Sequence, residues 1–378
     1  MQNLASANKK QFGISFIFLL CIFAIAFWCY KKPAYNWDML PYMAIVKHTE
    51  TNNIDSIHAF VYSTAKIEIT APAYALLTDS SNNYRKTMAI NSTEFFKQLP
   101  YYYIKPLYIV FVYAFYKIGF PLTKATELPS IISFLFISIL FYFWLKKYVP
   151  ATIAFAIALM LMLSSPILMS LRSSTPDFLS AAFLFAALYF IAEKNKPWLT
   201  LLFFSLAIFT RLDNIIAAFF FFTLLTICQI PGRQISKKKF ILFTTLCSVA
   251  CLATIFIASK FGWGSNYYPV ISYNTWHGTK PFSLQEYFTA FYENTANGLI
   301  YTHIFLFAVI AIYVLIPSWP LKFKSLQFHQ LLACTILLLF AARYILFPGI
   351  DDRFYIAYYL VLALLAAKTF AQTKSIAK

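Results

Sequence analysis

Apolar residues in this chain come in runs close to twenty residues long, separated by short polar links. They do not alternate as barrel strands do. The runs fall at roughly 11–29, 103–120, 129–145, 149–170, 177–192, 197–210, 213–230, 240–259, 299–317, 327–346 and 353–371. Most approach the length a helix needs to cross about 30 Å of hydrocarbon. The pattern predicts an all-α polytopic membrane protein. Composition agrees, with 60% hydrophobic residues and a mean hydropathy of +0.65.

Charge adds direction to this picture. The net charge of +17 does not point to nucleic acid, because Lys and Arg gather in short links between apolar runs and form no basic stripe. Lys146-Lys147, Lys194/Lys196, Arg233 with Lys237-Lys238-Lys239, Lys322/Lys324 and Lys374/Lys378 all fall on one side if the runs are traced backwards from a cytoplasmic C-terminus. Lys9-Lys10 belongs on that side too, ahead of a run with no clear small-residue cleavage site, which predicts an uncleaved signal anchor. The parity then fails by one if 103–120 crosses. Either the N-terminus is outside or this run does not span. Lys105, Pro106, Lys117 and six tyrosines favour an interfacial or shallow re-entrant helix. The expectation is about ten spanning helices with both ends cytoplasmic, a first outer loop over 31–128 and a second over 260–298. No internal repeat of the secondary-transporter kind is visible.

With that topology, thirteen of the fourteen acidic residues lie on the outer side and Glu193 alone lies inside. The six cysteines sit in or beside apolar runs without metal-ligand spacing, as small buried hydrophobes do. Phosphate-loop, dinucleotide-fingerprint, zinc-hydrolase and serine-hydrolase motifs are absent.

The chemistry-bearing candidates follow from this sidedness. Asp38, shortly after the first run, has Tyr42 one helical turn away; a carboxylate at an apolar boundary can take a proton from a hydroxyl, or it can simply cap a helix. Asp177 opens a membrane helix just after Pro176, where an acid either stabilises the helix start or serves a function. Arg211 and Asp213 interrupt a long apolar stretch, and the run before them is too short to span, so their link is expected inside a cavity. They can pair with one another, or Arg211 can bind phosphate. Arg353 opens the last run, next to Asp351 and Asp352, and Arg343 and Arg172 are further basic candidates. His277, beside Trp276 in the second outer segment, is a weaker candidate, since a surface-loop histidine is more often a bystander.

The order of these features resembles the GT-C superfamily of glycosyltransferases that use polyprenyl-phosphate sugars. The nearest branch holds protein O-mannosyltransferases and the lipid A aminoarabinose transferase. Asp38-Met39-Leu40-Pro41-Tyr42 is similar to that branch's Asp-Glu-x-x-Tyr motif without its Glu. Lys105-Pro106-Leu107-Tyr108, Glu127-Leu128-Pro129-Ser130, Lys146-Lys147, Asp177 and Thr210-Arg211 then follow in the family's order. The resemblance covers roughly 10–230. It implies a catalytic membrane module over 1–230, further transmembrane helices over 231–378, and no soluble C-terminal domain. It also implies transfer of a sugar from a polyprenyl-phosphate donor to a lipid, glycan or protein acceptor, at the extracytoplasmic face of a cytoplasmic-type membrane and with inversion. Asp38 and Asp177 would be catalytic. Arg211, Arg353, Arg172 and Arg343 would hold the donor phosphate, with Tyr42, Asp213, Trp276 and His277 around the substrate. The missing Glu leaves a divalent metal an open question. A lipid-linked oligosaccharide flippase and a surface-polysaccharide polymerase are the alternatives; a flippase should show polar groups facing both sides.

Overall fold

The computed structural model describes residues 2–227, 235–260, 283–301, 303–318, 327–346 and 351–376. Among the described residues every regular element is helical. Five helices are long and apolar enough to cross a membrane: α1 (Gln2–Lys31), α9 (Leu122–Leu145), α15 (Lys237–Ser259), α18 (Phe328–Leu346) and α19 (Ile356–Ile376). A sixth span is formed if α10 (Ala151–Met162) and α11 (Ser165–Leu171) count as one. They bend by 62° at Ser164-Ser165-Pro166, where the proline cannot continue the helix before it. The remaining helices of the bundle are shorter: α12 (Asp177–Tyr189), α13 (Pro197–Thr210), α14 (Asn214–Ile227), α16 (Leu284–Tyr301) and α17 (Ile304–Leu315).

α12 is the centre of the bundle and packs against α9, α13 and α19. It is apolar on all sides, and Ala181, Ala182, Ala186 and Ala187 are buried along it. Small residues let neighbouring backbones approach, which drives helix association where lipid is as apolar as Leu. Phe185 fills the remaining space against Phe141 and Trp144. After a single π-helical turn the chain stops at Asn195, which adopts a left-handed conformation at φ 48°, and Pro197 opens α13.

The segment expected as a first outer loop is a helical lobe with its own core. It comprises α2 (Met39–His48), α3 (Ile54–Glu68), α4 (Ala71–Leu77), α5 (Asn83–Ile90), α6 (Ser92–Lys97), α7 (Pro100–Tyr103) and α8 (Pro106–Lys117). Three of these short helices start on asparagine caps: Asn53, Asn82 and Asn91 accept from the amides of Ser56, Arg85 and Glu94. Asn91, the first residue of an Asn-Ser-Thr sequon, therefore has a local structural task. The lobe's core takes in Leu122 and Ala125 from the start of α9, Leu179 from the start of α12 and Ala258 from the end of α15. The lobe thus seats on one end of the bundle. At the other end, Lys147 pairs with Glu193 at 2.7 Å.

Two boundaries differ from the hydropathy pattern. α9 begins at Leu122 and carries Pro129 in its interior, because its first turns are buried against the lobe despite being polar. α8 is only about 18 Å long, and both its ends stay with the lobe. Lys117 at its end pairs with Glu50 after α2, and Lys105 at its start lies over the rings of Tyr42, Tyr101 and Tyr102. α8 therefore does not carry the chain to the far end of the bundle. Asp38 and Asp177 share one end, and Glu193 lies roughly 24 Å away along α12.

The lobe end and the Glu193 end should face different compartments. A membrane-impermeant maleimide is expected to modify Ser80→Cys, exposed on the lobe, from one side of a sealed membrane and Lys194→Cys only from the other. Modification of both from the same side would refute the assignment of these ends.

Candidate functional site

Asp38 immediately precedes α2 but does not cap it. Its side chain makes no capping hydrogen bond, and its backbone is already helical. The carboxylate instead accepts a hydrogen bond from the Tyr102 hydroxyl at 3.1 Å and lies 3.9 Å from the Arg353 guanidinium. Tyr102 comes from α7, and its burial together with the nearby Asp38 charge holds its phenol well above the ordinary tyrosine range. It remains a donor at any physiological pH.

From Asp38 a chain of alternating charges runs inward. Arg353 Nε lies 3.5 Å from Asp177, the first residue of α12, and 2.7 Å from Asp351, as charge contacts rather than aligned hydrogen bonds. Arg211 forms a close ion pair with Asp177 and reaches Asp213 at 3.1 Å. Asp213 in turn meets Arg343 of α18 at 2.5 Å. The order is Asp38, Arg353, Asp177, Arg211, Asp213, Arg343. Asp177 is almost wholly buried, whereas Asp38 is partly open and has the loosest ionic partner.

One ring organises the cations. Phe354 sits in a 3-10 turn ahead of α19, and the guanidinium carbons of Arg211, Arg343 and Arg353 lie 4.2, 4.6 and 5.0 Å from its centroid. Guanidinium groups stack readily on aromatic faces. Lys105 stands nearby under the lobe. Burial pushes its ammonium down to about 8, with Asp38 opposing that shift and Arg211 and Arg353 adding to it.

The α13–α14 link carries Arg211 and Asp213 to this point because both helices are only about 21 Å long. An apolar crevice of about 250 Å³ lined by Ile215, Ile216, Phe219, Thr244, Cys247 and Ser248 sets the first turns of α14 level with the middle of α15. The upper part of α15 rises past the link and packs against α7 and α8. The crevice starts two residues beyond Asp213.

The structure thus brings Asp38, Asp177, Arg211, Asp213, Arg343 and Arg353 together. Arg343, a further basic candidate from the sequence, belongs to the array. Tyr42 lies beneath Asp38, fully buried among Tyr102 and Tyr108, with its hydroxyl unpaired. Arg172 does not join: its Nε donates to the Lys32 carbonyl and its guanidinium lies over Trp28, so it fastens the end of α1 to the link before α12. Trp276 and His277 lie outside the described residues. Sequence reasoning missed Phe354, Tyr102 and Lys105 as site residues. Phe354 is adjacent to Arg353, while Tyr102 and Lys105 sit in a stretch whose tyrosines and lysines resemble an interfacial belt.

The carboxylates are interleaved with guanidiniums rather than grouped. Among the described residues no cluster of three or more His, Cys, Asp or Glu side chains is placed to hold a metal ion. Comparison of the chain with family models, with curated proteins and with solved structures gives no match.

Arg211 is the link on which two acids depend. Arg211→Met takes one of the guanidinium partners from buried Asp177 and from half-buried Asp213 and is expected to cost up to about 3–5 kcal/mol. Adding Asp177→Leu should recover part of that loss in thermal unfolding of the purified protein. A single variant as stable as the parent would show that the ion pair carries no weight.

Proposed function

We propose that this chain is an integral membrane glycosyltransferase that moves a sugar from a polyprenyl-phosphate donor to an acceptor hydroxyl at the extracytoplasmic face. The observation that carries this reading is the three-guanidinium array beside a carboxylate held by a hydroxyl, with an apolar crevice along α14 that begins at Ile215, two residues along the chain from Asp213. Planar guanidiniums match phosphate oxygens. An apolar crevice lined by the first turns of α14 suits the hydrocarbon of a lipid-linked phosphate. In this reading about ten helices span the bilayer, with the short α12, α13, α14 and α17 completing the five long spans and the bent α10–α11 pair.

The reaction follows from the charges. The acceptor hydroxyl gives its proton to Asp38 as its oxygen attacks the anomeric carbon. The bond from that carbon to the phosphate oxygen breaks, and the electron pair leaves with the lipid phosphate. The phosphate gains a negative charge as it departs, and Arg211, Arg343 and Arg353 stabilise that charge as it develops. Attack opposite the leaving group inverts the sugar. Asp177 and Asp213 hold the guanidiniums in place. Polar chemistry concentrated at one end of the bundle favours group transfer over transport along a two-sided path.

Asp38→Asn keeps the size and hydrogen-bonding capacity of the side chain but not its basicity. It is expected to lower single-sugar transfer from a defined polyprenyl-phosphate monosaccharide by roughly 10²–10⁴-fold, with lipid-phosphate binding retained. Near-parental transfer by a folded Asp38→Asn protein would remove Asp38 from this role.

Lys105 adds a pH dependence. A bound phosphate favours the protonated ammonium, so affinity should be full below about 8 and fall as pH rises through that value. Lys105→Arg should flatten the profile over the same range, since arginine stays charged. Equal profiles for the two proteins in a lipid-phosphate binding titration would exclude Lys105 as a phosphate contact.

A further inference from the structure

Asp38 has a second neighbourhood, on the lobe side, that the charge chain leaves unused. Two adjacent residues before α2 meet two residues one helical turn apart. The Trp37 indole Nε1 donates to Gln98 Oε1 at 3.4 Å, and the Tyr102 hydroxyl donates to Asp38. Gln98 ends α6 in a helical backbone conformation that continues through Leu99 into α7, so 98 and 102 share a face. Tyr84 of α5 closes the third side. Its hydroxyl donates to the same Gln98 oxygen, and its ring lies 5.2 Å from that of Trp37 at 59°.

Gln98 is only 4% exposed, and its Nε2 has no hydrogen-bond partner. Turning the amide over does not cure this: the NH2 could donate to the Tyr84 hydroxyl oxygen, but it would face the Trp37 N–H, and the amide oxygen would be left unpaired in its place. Buried polar side chains are almost always paired, and a persistent exception asks for an explanation such as a missing ligand or water. Here the orphan donor stands beside two aromatic rings and within one helical turn of the tyrosine that touches Asp38.

We infer that Trp37, Tyr84, Gln98 and Tyr102 form a saccharide-binding subsite that presents the acceptor hydroxyl to Asp38. A sugar ring has an apolar C–H face and a rim of hydroxyls. The aromatic rings take the face, the Gln98 amide donates to a rim oxygen, and Asp38 accepts from the hydroxyl that reacts. The acceptor then approaches from the lobe, while the phosphate lies on the Arg353 side of Asp38. The role of Asp38 rests on the function proposed above. Binding of a saccharide to the other residues does not.

The test is saturation-transfer NMR on the full chain in lipid nanodiscs, with the methyl glycosides of glucose, galactose and mannose and an acetylated serine tripeptide as probes. Transfer to the ring protons of at least one glycoside, and none to the peptide, is expected. Gln98→Glu keeps both accepted hydrogen bonds and the side-chain size and exchanges the donor for a carboxylate oxygen, and Gln98→Met removes the donor without adding charge; thermal unfolding matched to the parent shows that each variant is folded. Both should lose the glycoside signal, as should Trp37→Ala. Silence of every glycoside with the parent protein overturns the subsite. So does a signal that survives either Gln98 substitution, or one from the peptide alone. No donor lipid is present, so the result is independent of whether Asp38→Asn blocks transfer.

Discussion

Arg353 and Arg211 share Asp177, and Asp213 lies between Arg211 and Arg343. Much else in the structure depends on that alternation. Two guanidiniums about 5 Å apart at an effective dielectric near 20 repel by about 3 kcal/mol, so three of them on one phenyl ring need carboxylates between them. The charges come from five separate segments: the link before α2, the start of α12, the α13–α14 link, α18 and the turn before α19. Each segment must end at one level for the charges to meet. The short α13 and α14, the early start of α12 and the 3-10 turn that carries Phe354 are the local means of meeting that demand.

The lobe serves the same constraint from above. Asp38 is the acid of the array that comes from the lobe side, on the link between α1 and α2. It arrives on a link held by α7 through Tyr102, and α7 is fixed by packing against α2 and α15. Four carboxylates, with Asp351 included, face three guanidiniums and Lys105. The site is therefore close to neutral.

Much of this was legible before any coordinates. Twenty-residue apolar runs reveal helices because a bilayer demands them, and the short run before Arg211 revealed a recessed link. That Asp38 shares an end of the bundle with Asp177 was expected from counting positive links, since 103–120 has a composition that does not suit a span. Legibility stopped where contacts are remote in sequence. Nothing in a single chain ties Trp37 to Gln98 or Arg343 to Asp213. Phe354 reads as an ordinary core aromatic until three cations are found around it. The first outer segment looked like loop because its helices are short and their asparagine caps resemble turn residues. Arg172 looked like a site residue because it precedes Asp177, yet a few residues of separation sufficed to turn it toward the end of α1.

The α13–α14 hairpin also bears on how the chain is made. A lone arginine or aspartate in mid-membrane costs about 2.5–3.5 kcal/mol when a helix partitions from the translocon into lipid. Arg211 and Asp213 are two residues apart and already paired. On the proposed ten-span topology, the hairpin would enter the bilayer carrying its own counter-ion, before α18 has been synthesised to supply Arg343. The link that later serves the site is thus self-neutralising during biogenesis.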